Sequence, residues 1–191
     1  MILSDKEIKE AIESKDLIIT GQDELHIGPS SLDLHLDSKA MILDDSKFLE
    51  GEIMRFDNRL SSSDKFSAYE GWSEITIHPG EFYILSSVER IKFADDMVGF
   101  IQGRSSIARM GINIHAAGFF DAGFEGTATL EVTNFTKHPV VIPAFTRICQ
   151  MVFARTGKKA ELPYGKRGTS KYQGQSGPTI TSIYKDYEGQ S

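Results

Sequence analysis

The chain has 191 residues, 40% hydrophobic and 25% charged, which fits one domain able to bury a core without staples. Its formal net charge of −6 argues against a general nucleic-acid binder, and its single cysteine, Cys149, excludes an internal disulfide and a multi-cysteine zinc site. No window approaches eighteen apolar residues, so no membrane span is expected, and the opening stretch reads as neither a signal nor a transit peptide, which points to the cytoplasm.

Residues 4–13 predict a helix. Ser4 is the N-cap, Glu7 three residues on completes a capping box, and Ile8, Ala11 and Ile12 form an apolar stripe at helical spacing. After residue 16 the period changes. Short apolar or alternating runs at 17–20, 31–36, 74–77, 82–86, 98–102, 127–134 and 149–154 read as strands, separated by turn signals such as His78-Pro79-Gly80 and His138-Pro139. Many short strands with little helix predict a mainly-β sandwich, jelly roll or barrel. Residues 45–70 are polar and poorly periodic, and are expected to leave the fold as an excursion or loop. The tail from Gly165 lacks an apolar period. It reads either as a frayed terminus or as a flap whose donors (Lys171, Tyr172, Gln173, Gln175, Ser176) order on a ligand.

Within this frame a few motifs carry chemistry. Gly103-Arg104-Ser105-Ser106 precedes only a short helical stretch before Gly111. It reads as a phosphate-binding turn with backbone N–H groups, two hydroxyls and a guanidinium, or else Ser105 is a plain N-cap. Residues 118–126 look like a hairpin with Asp121 at its turn. That aspartate is either an Asx-turn residue or a carboxylate beside an aromatic wall that stacks on a sugar. Glu131 lies in the β-branched run 127–134, where a carboxylate costs on the order of several kcal/mol unless it is paired, neutralised or used. Cys149, in an apolar run, reads as an inert buried thiol. Six basic residues (Arg155, Lys158, Lys159, Lys166, Arg167 and Lys171) against Glu161 make either a solvated loop or a patch for a small polyanion. The histidines His26, His35, His78, His115 and His138 show no metal-ligand spacing, the zinc-deaminase signature is absent, and His115 reads as a core or supporting residue.

Taken together, the N-terminal helix, Ser31-Leu32-Asp33-Leu34, GRSSIAR, the FDAGFEG turn, TLEVTN, RICQMVF and SKYQGQSGPT resemble the dCTP deaminase branch of the dUTPase superfamily, over nearly the whole chain. The resemblance implies a single domain over 1–191 with a distorted jelly-roll fold, homotrimeric, whose tail at 165–191 closes over nucleotide sites between subunits. It implies that Arg104, Ser105, Ser106 and Arg109 hold triphosphate or position the base, helped by Gln150, Tyr164, Lys171 and Gln175. Asp121, Phe124, Thr129 and Leu130 would line the sugar and base. Mg²⁺ would ride on the triphosphate, without zinc or a protein metal site.

Glu131 takes the place of the family's deaminating acid, accepting a proton from a water that adds at C4 of cytosine, with Ser105 orienting that water. Burial that raises a Glu pKa suits such shuttling. Ala117-Gly118-Phe119-Phe120-Asp121 resembles members that also cleave the triphosphate, with Asp121 activating a second water. The resemblance therefore implies a bifunctional dCTP deaminase forming dUMP and diphosphate for dTTP synthesis, with dTTP a possible inhibitor and neither nucleic acid nor membrane as partner. The alternatives are a deaminase stopping at dUTP, a dUTPase alone, or a non-catalytic nucleotide-binding trimer. The chain departs from the family's pattern in a one-residue shortening between Gly111 and Asp121, in Ala116, and in Ala122 where proline is frequent.

Overall fold

Ser4 caps helix α1 (Asp5–Glu13) through the expected reciprocal bonds. Glu7 N–H donates to the Ser4 hydroxyl at 3.4 Å, and Ser4 N–H donates to the Glu7 carboxylate at 2.8 Å. The Ser4 backbone N–H, then its hydroxyl, holds the Glu7 carboxyl below its ordinary range. Ile8 and Ala11 are the buried residues of the stripe. The computed structural model describes residues 1–55, 64–115 and 117–187, with backbone alone at His115.

The strands that follow are β1 (Leu17–Thr20), β2 (Ile27–Gly28), β3 (Ser31–Leu43), β4 (Phe66–Glu70), β5 (Glu74–Ile77), β6 (Phe82–Phe93), β7 (Met97–Gly103), β8 (Ile112–His115), β9 (Phe119–Phe120), β10 (Glu125–Asn134), β11 (Val140–Pro143) and β12 (Arg147–Arg155). A short helix α2 (Ser105–Ala108) joins β7 to β8. One sheet runs β8-β10-β6-β3-β12-β7-β9, with β1 on β6, and β2 and β4 on β3; β5 and β11 pair separately.

Strand β3 serves both layers. Residues 32–35 pair with β12, whereas Leu36 and 40–42 pair with β6, and the register slips between Arg147 and Cys149 in the first ladder and between Leu36 and Ala40 in the second. Such an irregularity bends a strand and increases its twist, which curls the sheet onto itself. Leu32, Leu34, Leu85, Leu130, Val132, Ile148, Met151 and Phe153 meet between the layers at 0% exposure. The mainly-β, jelly-roll-type expectation holds.

Two local expectations are corrected. Within 45–70, residues 66–70 do not leave the fold: β4 pairs with residues 39–43 of β3. An edge strand that buries only Phe66 carries almost no period to detect. Residues 56–63 lie outside the described residues. Nor is 118–126 a hairpin. β9 pairs with β7, and β10 with β6 and β8, so the chain crosses between layers at 121–124. The crossing is a tight turn in which Phe124 N–H donates to Asp121 O at 3.1 Å, with Gly123 at φ +80°, a value that favours glycine.

Candidate active site

Strand β10 carries Glu131, and its alternation decides what that residue meets. Leu130 and Val132 point into the core at 0% exposure, while Thr129, Glu131 and Thr133 share the opposite, half-buried face. Leu130 can therefore meet a ligand through its backbone alone. Strand β6 runs along one edge of β10. The other edge is divided between β8, which pairs with 131–134 and sets His115 opposite Glu131, and the C-terminal tail.

The tail lies along residues 125–127. Gly174 N–H donates to Glu125 O at 2.7 Å, Thr127 N–H to Gln175 O at 3.1 Å, and the Gln175 amide to Thr127 O at 2.7 Å. Gly126 makes this approach possible, because a Cβ there would stand 2.9 Å from Gln175 Cγ and 3.0 Å from Phe124 Cζ. Residues 128–130 lie between the stretch bonded by the tail and the stretch paired with β8. Further along the tail, Tyr172 N–H donates to the Tyr164 hydroxyl at 3.1 Å, and Lys171 is ion-paired with Asp186.

Asp121 occupies a separate corner. It opens, with Phe119, Leu162, Tyr164 and Arg167, into a cavity of about 200 Å³. Phe119 is 53% exposed there. Phe124, expected to offer a wall for a sugar, is only 5% exposed: its ring packs on Phe93, Phe120 and Tyr164 at 6.3, 5.0 and 6.0 Å. Within the subunit it supports the turn from beneath, and the open ring is Phe119. Gly118 ties this segment to β7, accepting from Ile101 N–H at 2.8 Å. Residue 116 lies outside the described residues.

The GRSS motif forms a third group. Arg104, not Ser105, sits at the N-cap position of α2, and it makes no side-chain cap bond. Its guanidinium is drawn back into the body, with Nε 3.3 Å from Asp33 Oδ2 and NH1 donating to Arg147 O at 2.8 Å. Gln150 stands opposite Asp33 on β12 and accepts from the Ser31 hydroxyl at 3.2 Å. Ser105, Ser106 and Arg109 are exposed. The clamping role of Asp33 is not visible in the sequence, where the residue is an acid in an alternating strand within the Ser31-Leu32-Asp33-Leu34 motif.

In one subunit, then, the expected site residues fall into three clusters. The loop carrying Ser105, Ser106 and Arg109 joins the body where Phe135 N–H donates to Gly111 O, at the Asn134 end of β10. Gln175 joins it at Thr127. Seven residues of strand separate the two anchor points, about 23 Å at the usual rise. The basic segment is also partly spent within the chain: Arg155 pairs with Asp16 and Asp96, Lys166 with Asp95 and Lys171 with Asp186. Cys149 is buried, and burial first, then the charges of Glu89 and Asp33, pushes its thiol up, as suits an inert residue. Among the described residues no three His, Cys, Asp or Glu are grouped to hold a metal, and no helix is long and apolar enough to cross a membrane.

Comparison with known proteins gives these clusters a context. A family model described as dCTP deaminase-like matches residues 2–156. Several curated relatives are named "dCTP deaminase, dUMP-forming". That of Persephonella marina is 42% identical over 187 residues, covering 97% of this chain and 99% of its own length. A relative from Haloarcula marismortui, 36% identical over 98% of this chain and 97% of its own length, is named "dCTP deaminase". Among solved structures, the 2'-deoxycytidine 5'-triphosphate deaminase from Agrobacterium tumefaciens aligns with a TM-score of 0.60 at 26% identity, covering 80% of this chain and 47% of that one.

Proposed function

The chain belongs to the dCTP deaminase-like family, and from that premise we propose that it is a dUMP-forming dCTP deaminase. The observation that carries the reading is Glu131, half-buried on β10 among hydroxyls, on the strand to which both the tail and β8 bond. Its carboxylate takes a proton from a water as the water oxygen adds to C4 of cytosine. The proton passes to N4, the C4–N4 bond breaks, and ammonia leaves. Ser105 orients the water. Glu131 is the proton carrier at C4, and Mg²⁺ would enter bound to the triphosphate as part of the substrate.

The second step uses Asp121. Its carboxylate accepts a proton from a water attacking the α-phosphorus, diphosphate leaves, and dUMP remains. Gly118 and Phe119 set this corner apart, since Gly118 fixes the segment on β7 and Phe119 opens on the cavity. The separation of the clusters supports a composite site. With the anchor points of α2 and the tail about 23 Å apart along β10, the Ser105, Ser106 and Arg109 of one subunit meet a nucleotide held under the tail of a neighbour. The oligomer is a homotrimer. Lifting Gln175 from Gly126 uncovers the ring tip of Phe124 for the deoxyribose, and the tail then closes again over the nucleotide through Gln175, Tyr164 and Lys171.

Product analysis tests the reading. Incubation with dCTP and Mg²⁺ should yield dUMP, diphosphate and ammonia. Accumulation of dUTP removes the second step, and absence of ammonia removes the first.

A further inference from the structure

Ser86 and Ser87 are neighbours on β6, both at 0% exposure, and the fold treats them oppositely. The Ser87 hydroxyl donates to Glu89 O at 2.7 Å and accepts from Ala128 N–H at 2.9 Å. Ser86 Oγ has no hydrogen-bond partner among the described residues, and neither has Oγ1 of Thr129 or Thr133. These three hydroxyls share one face. Thr129 stands opposite Ser86, Glu131 opposite Ile84, and Thr133 opposite Phe82, and residues two apart on a strand point the same way. Glu131 therefore lies between Thr129 and Thr133, with Ser86 diagonally across from it.

Buried hydroxyls in folded proteins are bonded to protein or to ordered water. Ser86 is fully covered within the subunit, with the tail in place. The partner that fits is a water molecule. Directly opposed residues hold their Cβ atoms about 4.5–5.5 Å apart, and one water spans two hydroxyls at such a separation with ordinary hydrogen bonds.

We propose that Ser86 and Thr129 hold a buried water beside Glu131, and that this water positions the Glu131 carboxylate for deamination. The proposal rests on the deaminase reading. Ser86 touches neither the nucleotide nor the reacting atoms; it is a positioning residue that acts through the water. A donor fixed on one carboxylate oxygen keeps the other turned toward the substrate water, and restricting that rotation is worth rate without adding substrate affinity.

A crystal structure of the protein gives a readout independent of activity. It should show an ordered water about 2.7–3.2 Å from both hydroxyl oxygens; a direct Ser86–Thr129 hydrogen bond, or no density between them, overturns the proposal. Kinetics give the second readout. Ser86→Ala leaves no polar group to satisfy, and should lower kcat for ammonia release from dCTP about ten-fold at parent KM and Tm. Ser86→Thr should recover most of the rate. Thr129→Val combined with Ser86→Ala should lose no more than the slower single variant, because both remove one shared water. Parent kcat in Ser86→Ala, or losses that multiply in the double variant, would overturn the role. If the parent protein releases no ammonia from dCTP, the deaminase reading falls, and the crystal structure still decides whether the water is there.

Discussion

Glu89 and Glu131 lie on adjacent strands of one sheet, and the fold surrounds them with opposite chemistry. Glu89, on β6, is 1% exposed and locked: His35 N–H donates to one carboxylate oxygen at 2.9 Å, and His35 Nδ1 lies 2.6 Å from the other. Glu131, on β10, shares its face with Thr129, Thr133 and Ser86, whose hydroxyls have no hydrogen-bond partner among the described residues. Both are acids in apolar strands, and both cost free energy to bury. One is satisfied by the chain and holds two strands together. The other stands beside hydroxyls that have no hydrogen-bond partner among the described residues. Burial alone therefore does not mark a catalytic acid; the company of unsatisfied polar groups does.

Variants can break or sharpen that contrast. Glu131→Gln should cost the most in activity, about 10²–10⁴-fold or more in ammonia release, with Tm near the parent value. Asp121→Asn should slow triphosphate cleavage by about 10²-fold while ammonia still forms, measured by resolving dUTP from dUMP; unchanged dUMP formation would remove Asp121 from the second step. Glu89→Gln replaces two carboxylate oxygens beside His35 by one amide oxygen and one NH2 and should cost about 1–3 kcal/mol of stability, or on the order of 3–10 °C in Tm for a chain of this length. Ser87→Ala orphans the Ala128 N–H and should cost about 1–3 kcal/mol by denaturant unfolding. Ser4→Ala should have the smallest effect on stability. Because the Glu7 pKa is depressed in the folded chain, the capping contribution is full above the ordinary Glu range and is lost as pH falls through the lowered value. The Ser4→Ala deficit should accordingly shrink in acid.

Much of this was legible in the sequence, for identifiable reasons. Strand β10 announced itself by β-branched alternation with an acid in the wrong place, and α1 by its capping box, both of which are local signals. β4 is not legible because an edge strand with one buried residue has no period, and 118–126 looks like a hairpin because local turn chemistry is silent about which strand pairs with which. Phe124 sits beside an aspartate at a turn, and the sequence does not show that its ring also packs on Phe93, Phe120 and Tyr164. Glu89 and Ser86 were missed for a related reason. Their roles depend on His35 and Thr129, residues far away in sequence, and only the register brings them together. Asp33 Oδ2 lies 3.3 Å from Arg104 Nε and 3.4 Å from Arg147 NH1, likewise a long-range pairing, and it shows why a basic residue in a phosphate-like motif need not face solvent.

The most direct test sets the two glutamates side by side. Ammonia release from dCTP is measured per folded molecule for Glu131→Gln and Glu89→Gln, at a temperature where both are folded. Glu131→Gln should be nearly silent and Glu89→Gln close to the parent. A Glu131→Gln protein that releases ammonia at the parent rate, or a folded Glu89→Gln protein that releases none, would contradict the assignment of the reaction to the Glu131 face of β10.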